Sequence, residues 1–295
     1  MIGRYAILLL GVFAGSMSVI LIRSSHAPPF VLAAMRLVLA VLLLAPVFWR
    51  DLRRHRAAFT RDHLRRTLLP AAVLSVHFIS WTYGARMTAA APATLIVNLV
   101  PIATPFFLHA LIGEQINRRE ILGTALALGG IIVLTARDAL AGGDFRANLV
   151  CFGSMLLFAW YLALGRRNRD FPTLWLYVVP VYAFAAVFCL LAALPQLGAL
   201  LDPAVAGSPR EWLLLLGMAC IPTIIGHSLL NASMRHLRGQ IVSLCNVGQF
   251  VFAGVTAFFL FHESPPATFY AASLLVVTGI ALVVFSAPTA PPRLR

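Results

Sequence analysis

The sequence predicts an all-α membrane protein: ten transmembrane helices, arranged as two inverted five-helix repeats around a central cavity. Three observations lead to this fold class: an apolar composition, ten apolar stretches of membrane-spanning length, and an internal repeat whose halves have opposite charge bias. Apolar residues make up 60% of the 295 residues and charged residues only 11%. Such a composition is typical of a chain surrounded mainly by lipid.

Ten apolar stretches are each close to the ~20 residues that a helix needs to cross a hydrocarbon core of ~30 Å. They are too long for transmembrane strands and lack the two-residue alternation of such strands. We number them as predicted spans 1 to 10, and they cover residues 5–22, 30–49, 67–85, 89–112, 120–136, 147–165, 173–194, 212–232, 239–261 and 267–286. The first apolar run continues to Ile22, which favours an uncleaved span over a signal peptide.

An internal repeat relates the two sets of five spans. At an offset of 149 positions, five residues meet identical or similar counterparts: Arg86 on Arg235, Thr94 on Ser243, Pro105 on Gly254, Glu114 on Glu263, and Gly130 on Gly279. Because five is an odd number, the second half must enter the bilayer in the opposite orientation. The sequence therefore predicts one repeat over 1–137, an inverted repeat over 146–287, and a short cytoplasmic tail over 288–295.

The arginines predict the orientation. If the N-terminus is cytoplasmic, the even-numbered loops and both tails carry 17 of the 23 arginines, as the positive-inside rule requires. The equivalent loops 50–66 and 195–211 have the same length, yet the first contains seven arginines and the second only one. We expect a multi-pass protein of the bacterial cytoplasmic (inner) membrane with both termini in the cytoplasm.

The net charge of +13 has two interpretations, nucleic-acid binding or topology signals. The second is favoured, because Arg53, Arg54 and Arg56 have no interleaved aromatic platform. The four cysteines fall within spans without metal-ligand spacing, and we interpret them as small packing residues. All ten carboxylates lie in loops or at span ends. This disfavours proton-coupled export of organic cations, and any proton coupling would have to involve histidine.

Polar residues inside spans are the candidate binding residues, because they are expensive in lipid. His77 and Trp81 share one helix face in span 3, as do His227 and Asn231 in span 8. These two faces predict a shared cavity wall. The alternative is that each histidine contacts a neighbouring carbonyl within the bundle. No metal site is expected, because no acid or thiolate has suitable spacing beside the histidines.

Spans 4 and 9 contain amides together with helix-breaking residues. Proline removes a helical hydrogen bond and glycine loosens the helix, which frees carbonyl groups for a ligand or for bending. A passive kink in a packed bundle is the alternative. The predicted binding residues here are Asn98, Asn246 and Gln249, and the predicted hinge residues are Pro101, Pro105, Gly248 and Gly254.

Spans 1, 2 and 6 supply further candidates. Ser16 and Met17 in span 1 and Trp160 and Tyr161 in span 6 either line the cavity or pack the bundle. Arg36 lies about seven residues into span 2, roughly 10 Å deep. It either extends to the interface or faces the bundle and binds an anion.

Four residues are interpreted as structural. Glu114 and Glu263 precede spans 5 and 10, and we expect them to anchor the following helix, since helix N-termini attract anions. Gly130 and Gly279 indicate tight packing of those two spans, together with Gly123 and Gly129.

In their order, these residues resemble the EamA-type branch of the drug/metabolite transporter superfamily over nearly the whole chain. The resemblance rests on Gly15-Ser16, Arg36, Pro101, Gly113-Glu114, Gly123 and Gly130 in the first half, and on His227, Asn231, Glu263 and Gly279 in the second. Two positions depart from the pattern. Ala14 stands where tryptophan is usual, and Gln249-Phe250 stands where many relatives have Glu-Pro, so no carboxylate role is carried over there.

The resemblance implies a ten-span carrier with spans 1, 3, 4, 6, 8 and 9 around the cavity and spans 5 and 10 at the periphery. We therefore expect a secondary transporter, not an enzyme, that moves a small neutral or zwitterionic metabolite by alternating access, with amino acid export first. Exchange of anionic metabolites through Arg36 is the alternative. An intramembrane enzyme using His77 or His227, or a scaffold, is remote. The expected partners are the substrate and membrane lipid, with no cofactor and no nucleic acid, and the protein is expected to be monomeric.

Overall fold

A computed structural model describes residues 2–87, 90–139, 145–261 and 267–286, and these residues form helices joined by turns, with no strand among them. Within these ranges, eight helical segments are long and apolar enough to cross a membrane. The protein is therefore an all-helical, multi-pass membrane protein. Glu263 and the tail 288–295 lie outside the described residues.

The helices follow the predicted spans, with three interruptions. They are α1 Ile2–Ser24, α2 Pro29–Arg54, α3 Arg61–Arg66, α4 Leu68–Met87, α5 Ala90–Val97, α6 Val100–Ile112, α7 Arg118–Ala139, α8 Phe145–Arg167, α9 Leu174–Ala193, α10 Pro203–Ala206, α11 Pro209–Met218, α12 Ser228–His236, α13 Gly239–Val247, α14 Gln249–Phe261 and α15 Ala267–Ser286. A 3₁₀ segment, Leu194–Leu200, follows α9, and a π-helix, Ala219–His227, joins α11 to α12.

Predicted spans 4 and 9 are both broken near their middles. Between α5 and α6 the chain turns at Asn98 and Leu99, because Pro101 has no N–H to donate to the carbonyl of Val97. Between α13 and α14 the turn is the single residue Gly248, whose N–H donates to the carbonyl of Cys245 (3.0 Å). These breaks occupy corresponding positions in the two halves.

Two expected hinge residues lie instead inside continuous helices. The carbonyl that Pro105 leaves without its helical donor is that of Pro101, and it accepts a hydrogen bond from Gln240 Nε2 (3.2 Å). This bond compensates for the missing donor, and α6 continues through Pro105. Gly254 lies within α14, where its lack of a side chain admits the ring of Phe269. Its role there is close packing.

Predicted span 8 contains a nine-residue π-helix that the sequence analysis did not predict. Pro222 lies inside it and cannot donate a backbone hydrogen bond. The hydroxyl of Thr223 donates to the carbonyl of Met218, five residues earlier (2.8 Å). Such wide turns occur frequently at functional sites.

The last helices of the two halves, α7 and α15, pack closely and run antiparallel. Gly123 lies against the carbonyl of Gly279, and Gly130 against the carbonyl of Ala272 (2.7 Å from an ideal Cβ position). The 149-residue offset relates these two contacts to each other, because Gly123 corresponds to Ala272 and Gly130 corresponds to Gly279. Gly129 has open space around it, so its expected packing role is wrong, because it faces away from α15.

The other helix pairs are also related by the repeat. Extensive contacts join α2 with α9, α4 with α8, α1 with the π-helix, α6 with α13, and α7 with α15. Replacing every helix by its counterpart in the other half reproduces this set of pairs. The two halves therefore pack on each other with internal pseudosymmetry.

We expect Gly130→Ala to lower the free energy of unfolding by about 1–3 kcal/mol, because a methyl group there would overpack the α7–α15 contact. Gly129→Ala is the matched control, since its added methyl meets no atom within 4 Å and alanine favours helix. Thermal unfolding in detergent measures both. Equal melting temperatures for the two variants would contradict the assigned packing.

Candidate functional site

Arg36 lies about two turns into α2 and is completely buried, with 0% of its surface exposed. It therefore faces the bundle and does not extend to the membrane interface. Its Nε donates to Thr223 Oγ1 (2.9 Å), and its Cζ lies 3.9 Å from the centre of the Phe78 ring. The terminal nitrogens Nη1 and Nη2 have no hydrogen-bond partner. Arg36 thus has two free donor groups inside the protein.

The π-helix presents the partner of Arg36. Thr223 lies within it, and the Tyr182 hydroxyl from α9 donates to the Thr223 carbonyl (3.1 Å). The same hydroxyl lies 3.2 Å from Ser228 Oγ. Since α9 packs along α2, which carries Arg36, these contacts hold the π-helix against both α2 and α9.

His77 and His227 lie close to each other, with ring centres 6.1 Å apart. His77 Nδ1 lies 3.0 Å from the carbonyl of Ser154 and 2.9 Å from its hydroxyl, so His77 makes the carbonyl contact that the packing alternative predicted. The Nδ1 of His227 has no hydrogen-bond partner. The two histidines therefore differ at Nδ1, which is hydrogen-bonded in His77 and has no partner in His227.

Aromatic rings surround the histidines. The Phe158 ring stacks on His77 at 4.8 Å, and the Phe78 ring meets His227 edge-on at 4.8 Å. Asn231 Nδ2 donates to the Tyr161 hydroxyl (2.7 Å) and to the His227 carbonyl (2.9 Å). We call this group the Arg36 cluster, and its members are Arg36, His77, Phe78, Phe158, Tyr161, Thr223, His227 and Asn231.

A second group, the amide cluster, consists of Asn98, Asn246 and Gln249. It lies where the breaks in predicted spans 4 and 9 meet. Asn246 Nδ2 donates to Asn98 Oδ1 (3.3 Å), and Gln249 Nε2 donates to Asn246 Oδ1 (2.5 Å). Asn98 is buried, and its Nδ2 has no partner. Gly15 of α1 lies against the Gln249 amide, and a Cβ there would approach Nε2 to 2.7 Å.

Four predicted binding residues join neither cluster. Trp81 is buried and its Nε1 donates to Ser18 Oγ (3.1 Å), which is a helix-packing contact. Trp160 is half-buried and stacks on Phe107 at 6.0 Å. Ser16 donates to the carbonyl of Phe13 in its own helix (2.6 Å), and Met17 is half-buried on α1.

Glu114 does not anchor the following helix, α7, as the sequence analysis expected. It accepts a hydrogen bond from the N–H of Gly239 at the start of α13 (2.9 Å) and pairs with Arg166 (3.1 Å). The preceding Gly113 ends α6 in the left-handed conformation (φ 67°), which turns Glu114 away from α7. The N-terminus of α7 is capped by Asn117 and Glu120.

Several site residues were missed by the sequence analysis. They are apolar, aromatic or hydroxyl residues within apolar runs, where no pattern distinguishes them from packing residues: Phe78, Ser154, Phe158, Tyr182 and Thr223. Pro222 was the one available signal, since a proline inside a span weakens the helix around it.

Electrostatically, the Arg36 cluster is a cationic site without an internal counter-ion. No acidic side chain in the described parts of the chain lies within ion-pair distance of Arg36. Its neighbours are aromatic rings, a hydroxyl and imidazoles. A buried guanidinium group with free donors suits a planar oxyanion such as a carboxylate.

Comparison with known proteins places the chain in a family. The sequence model of the EamA-like transporter family matches residues 1–136 and 145–285. The chain belongs to the EamA-like transporter family. This membership agrees with the resemblance drawn from the sequence motifs.

Two proteins similar to this EamA-like protein share little sequence identity with it. An uncharacterized transporter of Archaeoglobus fulgidus is 24% identical over 282 residues, which cover 94% of each chain. A solved crystal structure matches 98% of this chain and 99% of its own, with a TM-score of 0.76 at 17% sequence identity. The likeness to the crystal structure shows a shared fold.

We expect Thr223→Val to destabilise the protein by about 1–3 kcal/mol, because it leaves a third guanidinium nitrogen of Arg36 buried without a partner. Thr82→Val is the matched control, since Thr82 is equally buried and its hydroxyl donates only to the Phe78 carbonyl of its own helix. Thermal unfolding in detergent compares the two. A loss at Thr82 as large as at Thr223 would argue against the Arg36 contact.

Proposed function

We propose that this protein is a secondary transporter that moves a small metabolite bearing a carboxylate across the cytoplasmic membrane by alternating access, with amino acids as the first candidates. The observation that carries the proposal is the completely buried Arg36, whose Nη1 and Nη2 have no partner. A buried charge without a counter-charge is strongly unfavourable. A carboxylate bound at these two nitrogens would relieve that cost.

Zwitterionic and anionic metabolites share this recognition step. Both offer a carboxylate that accepts two parallel hydrogen bonds from one guanidinium group. They differ in their second charged group. Neither cluster contains a carboxylate, so a substrate that is only cationic is disfavoured. The free Nδ2 of Asn98 in the amide cluster suits a hydrogen-bond acceptor on the remainder of the substrate.

The architecture supports a carrier with ten spans in two inverted halves. The equivalent helices α7 and α15 run antiparallel, as the inverted repeat predicts, and the helix pairing follows the repeat. Helices broken at corresponding positions in two halves are typical of binding sites in secondary transporters. Family membership favours this function over the enzyme and scaffold alternatives.

We expect Arg36→Met to weaken substrate binding by roughly 10–100-fold, the loss expected for a hydrogen bond to a charged group. Arg36→Lys keeps the charge but loses the paired geometry, and we expect an intermediate effect. The measurement is uptake into proteoliposomes from a panel of labelled amino acids and dicarboxylates, with substrate-induced thermal stabilisation as a second readout.

The specificity control uses the same compounds as methyl esters, which have no carboxylate at that position. Wild-type protein should transport the esters poorly, and Arg36→Met should discriminate little between acid and ester. Equal transport of an acid and its ester by wild-type protein would refute carboxylate recognition.

The inverted topology predicts that loops 50–66 and 195–211 face opposite sides of the membrane. We expect Ala57→Cys and Gly198→Cys, each in a cysteine-free background, to react with an impermeant maleimide from opposite sides of a sealed vesicle. Both positions are exposed. Labelling of both from one side would contradict the inverted repeat.

A further inference from the structure

Three ion pairs that join the two halves lie at one end of the bundle. We call it the Glu114 end, and it contains the end of α3, the end of α6, the end of α8 and the junction between α12 and α13. Arg66 at the end of α3 contacts Asn168 and Asp170 after α8, and Glu114 after α6 contacts Arg166 at the end of α8. These contacts place the four segments together.

The central contact at this end is the ion pair between Glu114 and Arg166. Its two side chains are 3% and 0% exposed, and Nε of Arg166 lies 3.1 Å from Glu114 Oε2. Glu114 comes from the first half of the chain and Arg166 from the second. Glu114 Oε1 accepts from the N–H of Gly239, and Arg166 Nη1 donates to the carbonyl of Met234 (2.8 Å). The pair therefore holds both sides of the α12–α13 junction.

Two further ion pairs lie at the same end. Arg238, in the α12–α13 junction, pairs with Glu120 at the start of α7. The more exposed Arg66 makes two hydrogen bonds to Asp170 (2.6 and 2.8 Å), which hold the pKa of that carboxyl below its usual value. All three pairs join the first half to the second.

The opposite end is built differently. An open cavity of about 380 Å³ lies at the turn between α1 and α2 and is lined by Arg23, Ser25, His26 and Arg86. The buried Glu211 there accepts hydrogen bonds across the halves from Ser25 Oγ (2.7 Å) and from the N–H of His26 (3.0 Å). Its cationic partner is its sequence neighbour Arg210, so that ion pair does not join the halves.

The repeat shows the same difference between the two ends in the sequence. At the 149-residue offset, the counterparts of Arg166, Arg238 and Glu120 are Met17, Ala89 and Phe269. None of these can form an ion pair. Only Glu114 has an acidic counterpart, Glu263.

We propose that the Glu114–Arg166 ion pair is a latch that closes the Glu114 end of the carrier and must separate before the substrate path opens there. The inference rests on the alternating access of the proposed function. Opening that end moves α6 and α8 away from the α12–α13 junction, which the pair holds together. Because Met17 stands at the repeat position of Arg166, the ion pair has no repeat counterpart at the opposite end, and the latch biases the protein towards the state closed at the Glu114 end.

The test measures access from the Glu114 end directly, without substrate. Ala103→Cys in a cysteine-free background is the reporter, because Ala103 is buried on α6 between the amide cluster and Glu114. The protein in lipid nanodiscs is labelled with a polar maleimide. We expect Glu114→Gln/Arg166→Met to speed labelling at least about tenfold, because the equilibrium shifts towards the open state.

The double variant is preferred because removing one partner alone leaves a buried unpaired charge and a folding defect, whereas removing both does not. Arg66→Met is the matched control, since it breaks an exposed ion pair at the same end and should change the rate less than twofold. A folded double variant labelled at the parent rate would overturn the latch. So would a control that speeds labelling equally. Neither outcome depends on the Arg36 transport assay, so the two proposals fail separately.

Discussion

The constraint on which the site depends is the burial of one arginine without a counter-charge inside a membrane protein. Arg36 is completely buried, and the surrounding structure satisfies only one side of its guanidinium group. Thr223 accepts from Nε because the π-helix widens the turn that carries it, and Tyr182 holds that turn in place. Phe78 covers the face of the group. The remaining donors, Nη1 and Nη2, have no partner, and the proposed function assigns them to a substrate carboxylate.

Small residues allow α1 to approach the helices that carry the two polar clusters. Gly226 of the π-helix packs directly against the backbone of Gly15 in α1, with an ideal Cβ position 3.1 Å from the Gly15 nitrogen. The same Gly15 lies beside the Gln249 amide. Since close helix approach in lipid depends on small side chains, α1 can contact both polar clusters. Larger residues there would separate the π-helix from α1.

The helix packing is pseudosymmetric, but the charged residues in the two halves are not. The helix pairs exchange between halves, and the repeat-related breaks meet at Asn98 and Asn246. Arg36, however, has Ala185 as its counterpart, and in each ion pair of the Glu114 end at least one partner has an uncharged counterpart. Alternating access needs two related arrangements of one frame. In the proposed carrier, the unmatched charges give those two arrangements different energies.

The sequence by itself determined the membrane class, the helical stretches, the repeat and most polar members of the two clusters. It could do so because apolar length, repeat offset and the cost of polar groups in lipid are local properties of the chain. The tertiary structure decided which way Arg36 points, that Trp81 and Trp160 join neither cluster, and that Glu114 binds α13 and Arg166. Those outcomes depend on which helices are neighbours. The π-helix also came only from the structure, because a widened turn forms where packing against α1, α2 and α9 compensates for the weakened helix at Pro222.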